Sequence, residues 1–180
     1  GSVIERSDRF EEACEILTLL FSQDRTTFRG EYYVLDEAPM EPKPLQSPLP
    51  LLIGGGGEKR TLRTVARFAT EWNSWGRPEE IRHKISVLER HCEEVGRDPA
   101  EIQKSAVGVL MFTETEEKAA ELQENLGHRS GLVGTPAQLR QVVAEYAAVG
   151  VDELLVPDFA FSSGERNDNL DRFRAEVVDY

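Results

Sequence analysis

Residues 48–73, PLPLLIGGGGEKRTLRTVARFATEWN, constrain the fold more than any other stretch of the chain. The apolar run over 49–53 predicts a buried strand, and Gly54, Gly55, Gly56 and Gly57 predict a turn. A helix follows from about Glu58, and residues 71–73 read as a second short strand. Strand, glycine turn and helix in that order leave first-turn N–H groups without partners at the positive end of a helix dipole, which attracts anions. Four glycines in a row cost roughly 0.5–1 kcal/mol each relative to alanine in regular structure, more than a plain turn needs. They let the backbone turn with positive φ and let a phosphate approach closely. Lys59 and Arg60 fall where a first helical turn ordinarily prefers acids, which adds some support for an anion nearby.

The rest of the chain supplies a frame for that segment. Ser7 is positioned to cap a helix whose apolar face is Phe10, Ala13, Leu17, Leu20 and Phe21. Two short β-rich runs over 27–34, broken at Gly30, read as a hairpin. The proline-rich residues 39–50 exclude regular helix and central strand, leaving an extended lead-in. In the helix after the glycines, Leu62, Val65, Ala66 and Ala69 form the buried stripe, and Arg60, Arg63 and Arg67 read as a solvated face. Pro78 opens a further helix with Ile81, Ile85, Leu88, Cys92 and Val95 inward and Gly96 as its stop. Asp98 to Glu101 has the form of a capping box and starts one further turn.

Beyond it, residues 105–112 are one continuous apolar run, as in a strand buried on both faces. A helix is expected from Thr113 or Thr115 to about Leu126, then a loop over 127–134. Thr135 and Gln138 carry a second capping signature, with Leu139, Val142, Val143 and Tyr146 as the stripe behind it and Gly150 as the stop. A strand over 153–156 and a helix over about 170–178 close the chain. Strands alternating with helices argue for α/β architecture with a parallel sheet and right-handed crossovers. A small open sheet satisfies the pattern, and so does the second half of a (β/α)8 barrel, whose full form takes ~250 residues.

Composition narrows the function classes. The 180 residues suit one ordinary domain, and 39% hydrophobic with 30% charged residues is a soluble globular balance. A net charge of −12 argues against a broad nucleic-acid surface, which needs clustered Lys and Arg. No run of ~18 apolar residues predicts a membrane span, and GSVIERSDRF lacks the basic and apolar regions of a secretory signal. The chain opens without Met, which fits a piece of a longer protein. Cys14 and Cys92 lie on helical patterns and are expected as reduced, buried thiols of a cytoplasmic protein.

His83, His91 and His128 show no metal-ligand spacing with each other or with the cysteines, so no metal site is expected. Ser130, Ser162 and Ser163 lack the context of an activated nucleophile. Arg129, in the loop before Gly134, is a weaker phosphate candidate. A Walker loop is excluded because Gly57 is followed by Glu58-Lys59-Arg60. A dinucleotide fingerprint fails at its third glycine, although Glu71 stands where an acid would contact a ribose. A nicotinamide-dependent Rossmann-like enzyme is therefore the runner-up enzyme class.

The segment IGGGGEKRTLRTVARFATEWN resembles the second-half signature of the bacterial luciferase-like family, particularly its members that use the deazaflavin coenzyme F420. The similarity continues, in family order, through SDRFEEACEILTLLF, FRGEYY, VGTPAQL and GVDELLVPDF. The resemblance implies a (β/α)8 barrel of which this chain is the C-terminal half, the N-terminal strands being absent. It implies F420, or alternatively FMN, as cofactor, and hydride or oxygen chemistry on a small organic substrate. It places the cofactor phosphate at the glycine turn, so Gly54, Gly55, Gly56, Gly57, Glu58 and Lys59 are the candidate cofactor-binding residues. Trp72 and Asn73, at the end of the next strand, join them at the barrel mouth, with core packing an equal alternative for Trp72. One departure is Ala69-Thr70-Glu71-Trp72-Asn73, where the family usually carries Ala-Asp before Gly-Trp-Asn. No catalytic acid or base is assigned, because much of that chemistry belongs to the absent strands. The rival reading is a non-catalytic half-barrel that keeps a phosphate site and forms a homodimer to cover its exposed strand edges.

Overall fold

Regular structure starts at Ser2, whose hydroxyl accepts from the Glu5 N–H at 3.1 Å and caps α1 (Val3–Ser22). The computed structural model describes residues 1–129, 131–158, 164 and 166–180. Ser130, Ser162 and Ser163 lie outside the described residues, as does the side chain of His128. The chain divides into two compact units. The first is Gly1–Ile53, Gly57–Trp72 and Leu88–Ile102; the second is Gly54–Gly56, Asn73–Val87 and Gln103–Tyr180.

In the first unit, Ser7 lies inside α1 rather than at its cap, and its hydroxyl donates to the Val3 carbonyl at 3.0 Å. The buried α1 residues are Cys14 and Ile16, whereas Phe10 and Leu17 are exposed at 42% and 37%. The shift has an ionic cause. Asp8 pairs with Arg60, Glu11 with Arg63 at 2.9 Å and with Arg67, and Glu15 lies 3.9 Å from Arg67. The three arginines expected on a solvated face therefore hold α2 against the acidic side of α1. At the other end of α1, the Lys43 ammonium donates to the carbonyls of Leu20 and Gln23, satisfying groups that helix ends leave without partners.

The hairpin β1 (Thr26–Arg29) and β2 (Val34–Ala38) is antiparallel, with Phe28 opposite Leu35 and Arg29 opposite Val34. Its second strand begins at Val34, where the sequence pattern ended it, because residues 30–33 are spent on the turn. The Glu12 carboxylate accepts from the N–H groups of Glu31, Tyr32 and Tyr33 at 2.7, 3.0 and 3.1 Å. Residues 39–50 form no helix or strand, as their prolines dictate.

β3 (Leu52–Gly54) is followed by a turn over 58–60, and α2 (Thr61–Phe68) starts three residues later than expected. Lys59 and Arg60 thus precede the helix, and Arg60 is committed to Asp8. Their departure from first-turn preference says nothing about an anion. Leu62, Val65, Ala66 and Ala69 are fully buried, as the helical stripe predicts, and so is Trp72 on the strand that follows.

β4 (Glu71–Trp75) extends two residues beyond the expected strand. α3 (Pro78–Val95) and its stop at Gly96, φ +70°, stand as expected, with Ile81, Ile85, Leu88 and Cys92 buried, but Val95 in the last turn is exposed rather than inward. One 3-10 turn, Pro99–Glu101, follows under an Asp98 cap.

The apolar run 105–112 is two strands, β5 (Gln103–Val107) and β6 (Leu110–Phe112). The break is at Gly108, where an added Cβ would stand 3.1–3.2 Å from Leu132 and the Gly131 backbone. β6 pairs in parallel with β7 (Leu132–Gly134), a strand inside the expected loop. α4 (Glu116–Leu126) is capped by Thr115, and α5 (Pro136–Ala148) carries the full Thr135–Gln138 capping box. β8 (Glu153–Leu155) pairs in parallel with β5, Ala106 opposite Leu154. α6 (Arg166–Phe173) begins four residues before the expected helix and runs into a π-helical turn, Arg174–Val178.

The larger sheet has the order β3-β4-β5-β8. Leu51 O accepts from the Thr70 and Glu71 N–H groups, and Asn73 O accepts from Gly55 N–H at 2.8 Å, so β3 and β4 run parallel. The order advances without the reversal that creates a Rossmann crevice, which removes the support for the nicotinamide alternative.

Candidate functional site

The carboxyl ends of β3 and β4 frame an open cleft of about 550 Å³ within the second unit. Parallel α/β sheets place ligands at this end because strand-to-helix loops there are free to vary. The cleft is lined by Gly54, Gly55 and Gly56 from the β3 end and by Asn73, Ser74 and Trp75 from β4. Glu80 and Lys84 of α3 complete it.

The glycines do different work. Gly55 has φ +128°, a conformation that disfavours any side chain. Gly56 lacks a positive φ, but a Cβ there would stand 2.9 Å from Lys84 Cε, 3.0 Å from Lys84 Nζ and 3.1 Å from Ser74 Oγ. A Cβ on Gly54 would meet nothing closer than Asn73 O at 4.0 Å. Around Gly57 the space is taken by the Thr61 hydroxyl.

Charge in the cleft comes from α3. Lys84 Nζ donates to Gly56 O at 2.8 Å, tying the helix to the glycine turn. Glu80 Oε2 accepts from the Arg77 N–H at 2.8 Å, the reach-back half of a capping box at a helix opened by Pro78. Asn73 Nδ2 donates to Ser105 Oγ at 2.8 Å, joining the ends of β4 and β5. The Arg129 guanidinium lies 5.8 Å from the centre of the Trp75 ring.

Behind this wall the Tyr146 hydroxyl of α5 donates to Gly76 O at 2.7 Å. Burial pushes the Tyr146 hydroxyl well above the ordinary tyrosine value, and the Glu79 and Glu80 carboxylates push in the same direction.

Of the candidates read from sequence, Gly54, Gly55, Gly56 and Asn73 come together in the cleft; Gly57, Glu58, Lys59 and Trp72 are not among its lining residues. Glu58 offers its carbonyl to His91 Nε2 at 2.8 Å, and His91 Nδ1 lies 3.2 Å from Glu94. Trp72 is fully buried, which decides its open alternative in favour of core packing. Sequence reasoning missed Ser74, Trp75, Glu80 and Lys84. Period-two alternation places Trp75 on the same face as Asn73 and would have found it. Lys84 leaves no local signal, since only the packing of α3 brings it to residue 56. Among the described residues, no group of three or more His, Cys, Asp or Glu could hold a metal ion, and no helix is long and apolar enough to cross a membrane.

Comparison with known proteins bears on these features. Residues 3–126 match the family described as luciferase-like monooxygenase. The chain is 28% identical over 194 residues to an FMNH(2)-dependent dimethylsulfone monooxygenase of Pseudomonas fluorescens, covering 84% of this chain and 52% of that protein. It is 35% identical over 99 residues to an uncharacterized protein of Mycobacterium bovis, covering 54% of this chain and 34% of that one. The chain thus spans about half or less of these relatives' lengths.

Among solved structures, an F420-dependent secondary alcohol dehydrogenase with an F420-acetone adduct superposes with TM-score 0.78 at 21% identity. That match covers 99% of this chain and 63% of the dehydrogenase. An F420-dependent tetrahydromethanopterin reductase from Methanopyrus kandleri gives 0.76 at 15%, over 96% of this chain and 63% of the reductase. At such identities the superpositions speak for the fold alone, a partial (β/α)8 barrel. With its alternating parallel strands and helices and a family match over more than half its length, the chain belongs to the luciferase-like monooxygenase family.

Proposed function

We propose that the chain is part of an oxidoreductase that moves a hydride between a deazaflavin of the F420 type, or alternatively FMN, and a small organic substrate. The observation that carries this reading is the cleft at the ends of β3 and β4, where bare glycine backbone, one lysine and an indole meet. Family membership supports it, as do the FMNH(2) and F420 named for the relatives. Both compact units are read as parts of one luciferase-like domain, and the buried free thiols accord with a cytoplasmic location.

The residues present fit the anionic end of such a cofactor. Gly54 to Gly56 carry no side chain to block approach, and the place of a Cβ at Gly56 borders the Lys84 ammonium and the Ser74 hydroxyl. When bound, the cofactor ring supplies the two-electron chemistry, and the protein supplies position and electrostatics. Here the glycine backbone and Lys84 would receive the phosphate, and Trp75 would wall the apolar side. The Asn73–Ser105 bond would keep the two strand ends in register. No proton donor or acceptor for substrate is assigned.

Titrating the full chain with F420 and with FMN, followed by fluorescence, tests the reading. Saturable binding of one of them is expected. Binding of neither at high micromolar concentration refutes it.

A second reading, a self-associating half-barrel without catalysis, draws on the position of β3 at the end of the sheet order and on Leu52, half exposed there. Cofactor binding without turnover by the full-length protein would favour it.

A further inference from the structure

β4 turns into α3 through the peptide unit that joins Gly76 to Arg77, and that unit is held at both ends. Its carbonyl accepts from the Tyr146 hydroxyl at 2.7 Å, and its N–H donates to Glu80 Oε2 at 2.8 Å. Trp75 precedes it and Glu80 follows it, and both line the cleft. Gly76 has φ +151°, which glycine alone adopts freely, and the same freedom lets the peptide plane rotate once a tether is lost. The hydroxyl is seated against backbone. Tyr146 is buried, and a Cβ on Gly131 would collide with its oxygen while standing 3.2 Å from Gly108 Cα. All of these residues belong to the second unit. Burial first, then the Glu79 and Glu80 carboxylates, raise the hydroxyl, so at neutral pH it keeps the proton it donates to Gly76 O.

Resting on the functional reading above, we infer that Tyr146 is a positioning residue for the cleft: by holding Gly76 O it fixes the Trp75 wall, and so sets how tightly a ring-bearing cofactor is held. Tyr146 is not among the lining residues and acts only through the strand end it tethers. A phenylalanine would fill the same apolar space, so what the hydroxyl adds is the bond to a backbone that glycine leaves free to turn. Glu80 holds the N–H side of the same peptide unit, but from within α3. Only Tyr146 ties the unit to a different helix, α5.

The full chain, Y146F, W75A and the two changes combined are prepared with fluorotryptophan, which reports on the two tryptophans. Fluorine NMR without ligand reads their surroundings, W75A assigns the signals, and circular dichroism confirms that each variant folds. In Y146F the Trp75 signal shifts or broadens, and the Trp72 signal keeps its place because that ring is sealed in the core. Fluorescence titration with F420 and with FMN reads affinity. Y146F weakens the cofactor that the native chain binds about three- to tenfold, the worth of the aromatic contact it misplaces. In W75A the same change costs less than about twofold more, since the wall it positions is gone.

A Trp75 signal that Y146F leaves unmoved overturns the inference while leaving the functional reading intact. An affinity loss as large in W75A as in the native chain also overturns it, since that outcome makes Tyr146 a support of the fold at large. Binding of neither cofactor by the native chain refutes the functional reading, and the inference about cofactor affinity with it. The fluorine signals need no ligand, so they tell that failure apart from a hydroxyl that positions nothing.

Discussion

Trp72 and Trp75 sit three residues apart on one strand and serve different ends. Trp72 is sealed in the core; Trp75 faces the cleft with Arg129 over its ring. Trp72→Ala should cost about 3–5 kcal/mol, the range for deleting a large buried aromatic, read as a lower urea midpoint. Trp75→Ala should leave that midpoint almost unchanged and weaken cofactor affinity roughly three- to tenfold, the worth of one aromatic contact.

The buried thiol of Cys14 is pushed up to about 11, first by burial and then by the Glu11 carboxylate. Since the thiolate is the reactive form, iodoacetamide at pH 8 should leave Cys14 unmodified in the folded chain and label it after denaturation. Labelling of the native chain at the rate of a free thiol would contradict its burial.

Tyr146 gives a pH dependence with a definite sign. Its value is raised in the folded chain, so above about pH 10 the unfolded chain loses its proton first. The contribution to stability is intact below about pH 10 and falls as pH rises beyond it. Tyr146→Phe should lose about 1–2 kcal/mol at neutral pH, by removing the partner of Gly76 O, and should lack that alkaline decline in urea titrations. At this scale the site was half legible. Gly54, Gly55, Gly56 and Asn73 stood out as sequence, while Lys84 and Glu80 are ordinary helix-surface residues until α3 is packed.

Between elements, two acids of α1 organise the first unit. Glu12 closes the hairpin turn through three N–H groups, and a Cβ on Gly30 would run into its carboxylate and into Phe28. Glu12→Ala should release those amides, so hydrogen exchange at residues 31–33 should rise at least tenfold while α2 keeps its protection. Glu11 takes both Arg63 and Arg67. Glu11→Ala should lower stability by about 1 kcal/mol, with the difference shrinking in high salt because the arginines are partly exposed.

Helices with long stripes and caps, α3 and α5, were legible to within a residue or two. Short strands were not. β7 is three residues inside what reads as loop, and the β5–β6 break turns on the crowding of Gly108 against Leu132 and Gly131, a contact 23 residues away or more in sequence. Local periodicity needs several repeats to show, and three residues supply too few.

For the whole molecule, β3 stands at the end of the larger sheet's order among the described residues, and the proposed self-association would use that edge. A strand edge carrying a half-exposed leucine favours pairing with another strand. Light scattering on the purified chain should give twice the monomer mass, and Leu52→Lys should shift it towards monomer. A monomer at all concentrations would end the dimer proposal.

The alternation of strands and helices, the glycine turn at the end of a strand, the buried stripe of α2 and the family resemblance are all readable in the amino-acid order. Each of these is written in neighbouring residues, through periodicity, capping and turn chemistry. Packing sets the rest: α2 begins after Lys59 and Arg60, its arginines bind α1, Trp72 is buried in the core, and Lys84 stands on the glycine turn. Those outcomes depend on which helix faces which, and a side chain several turns along a helix carries no local record of the backbone it will meet.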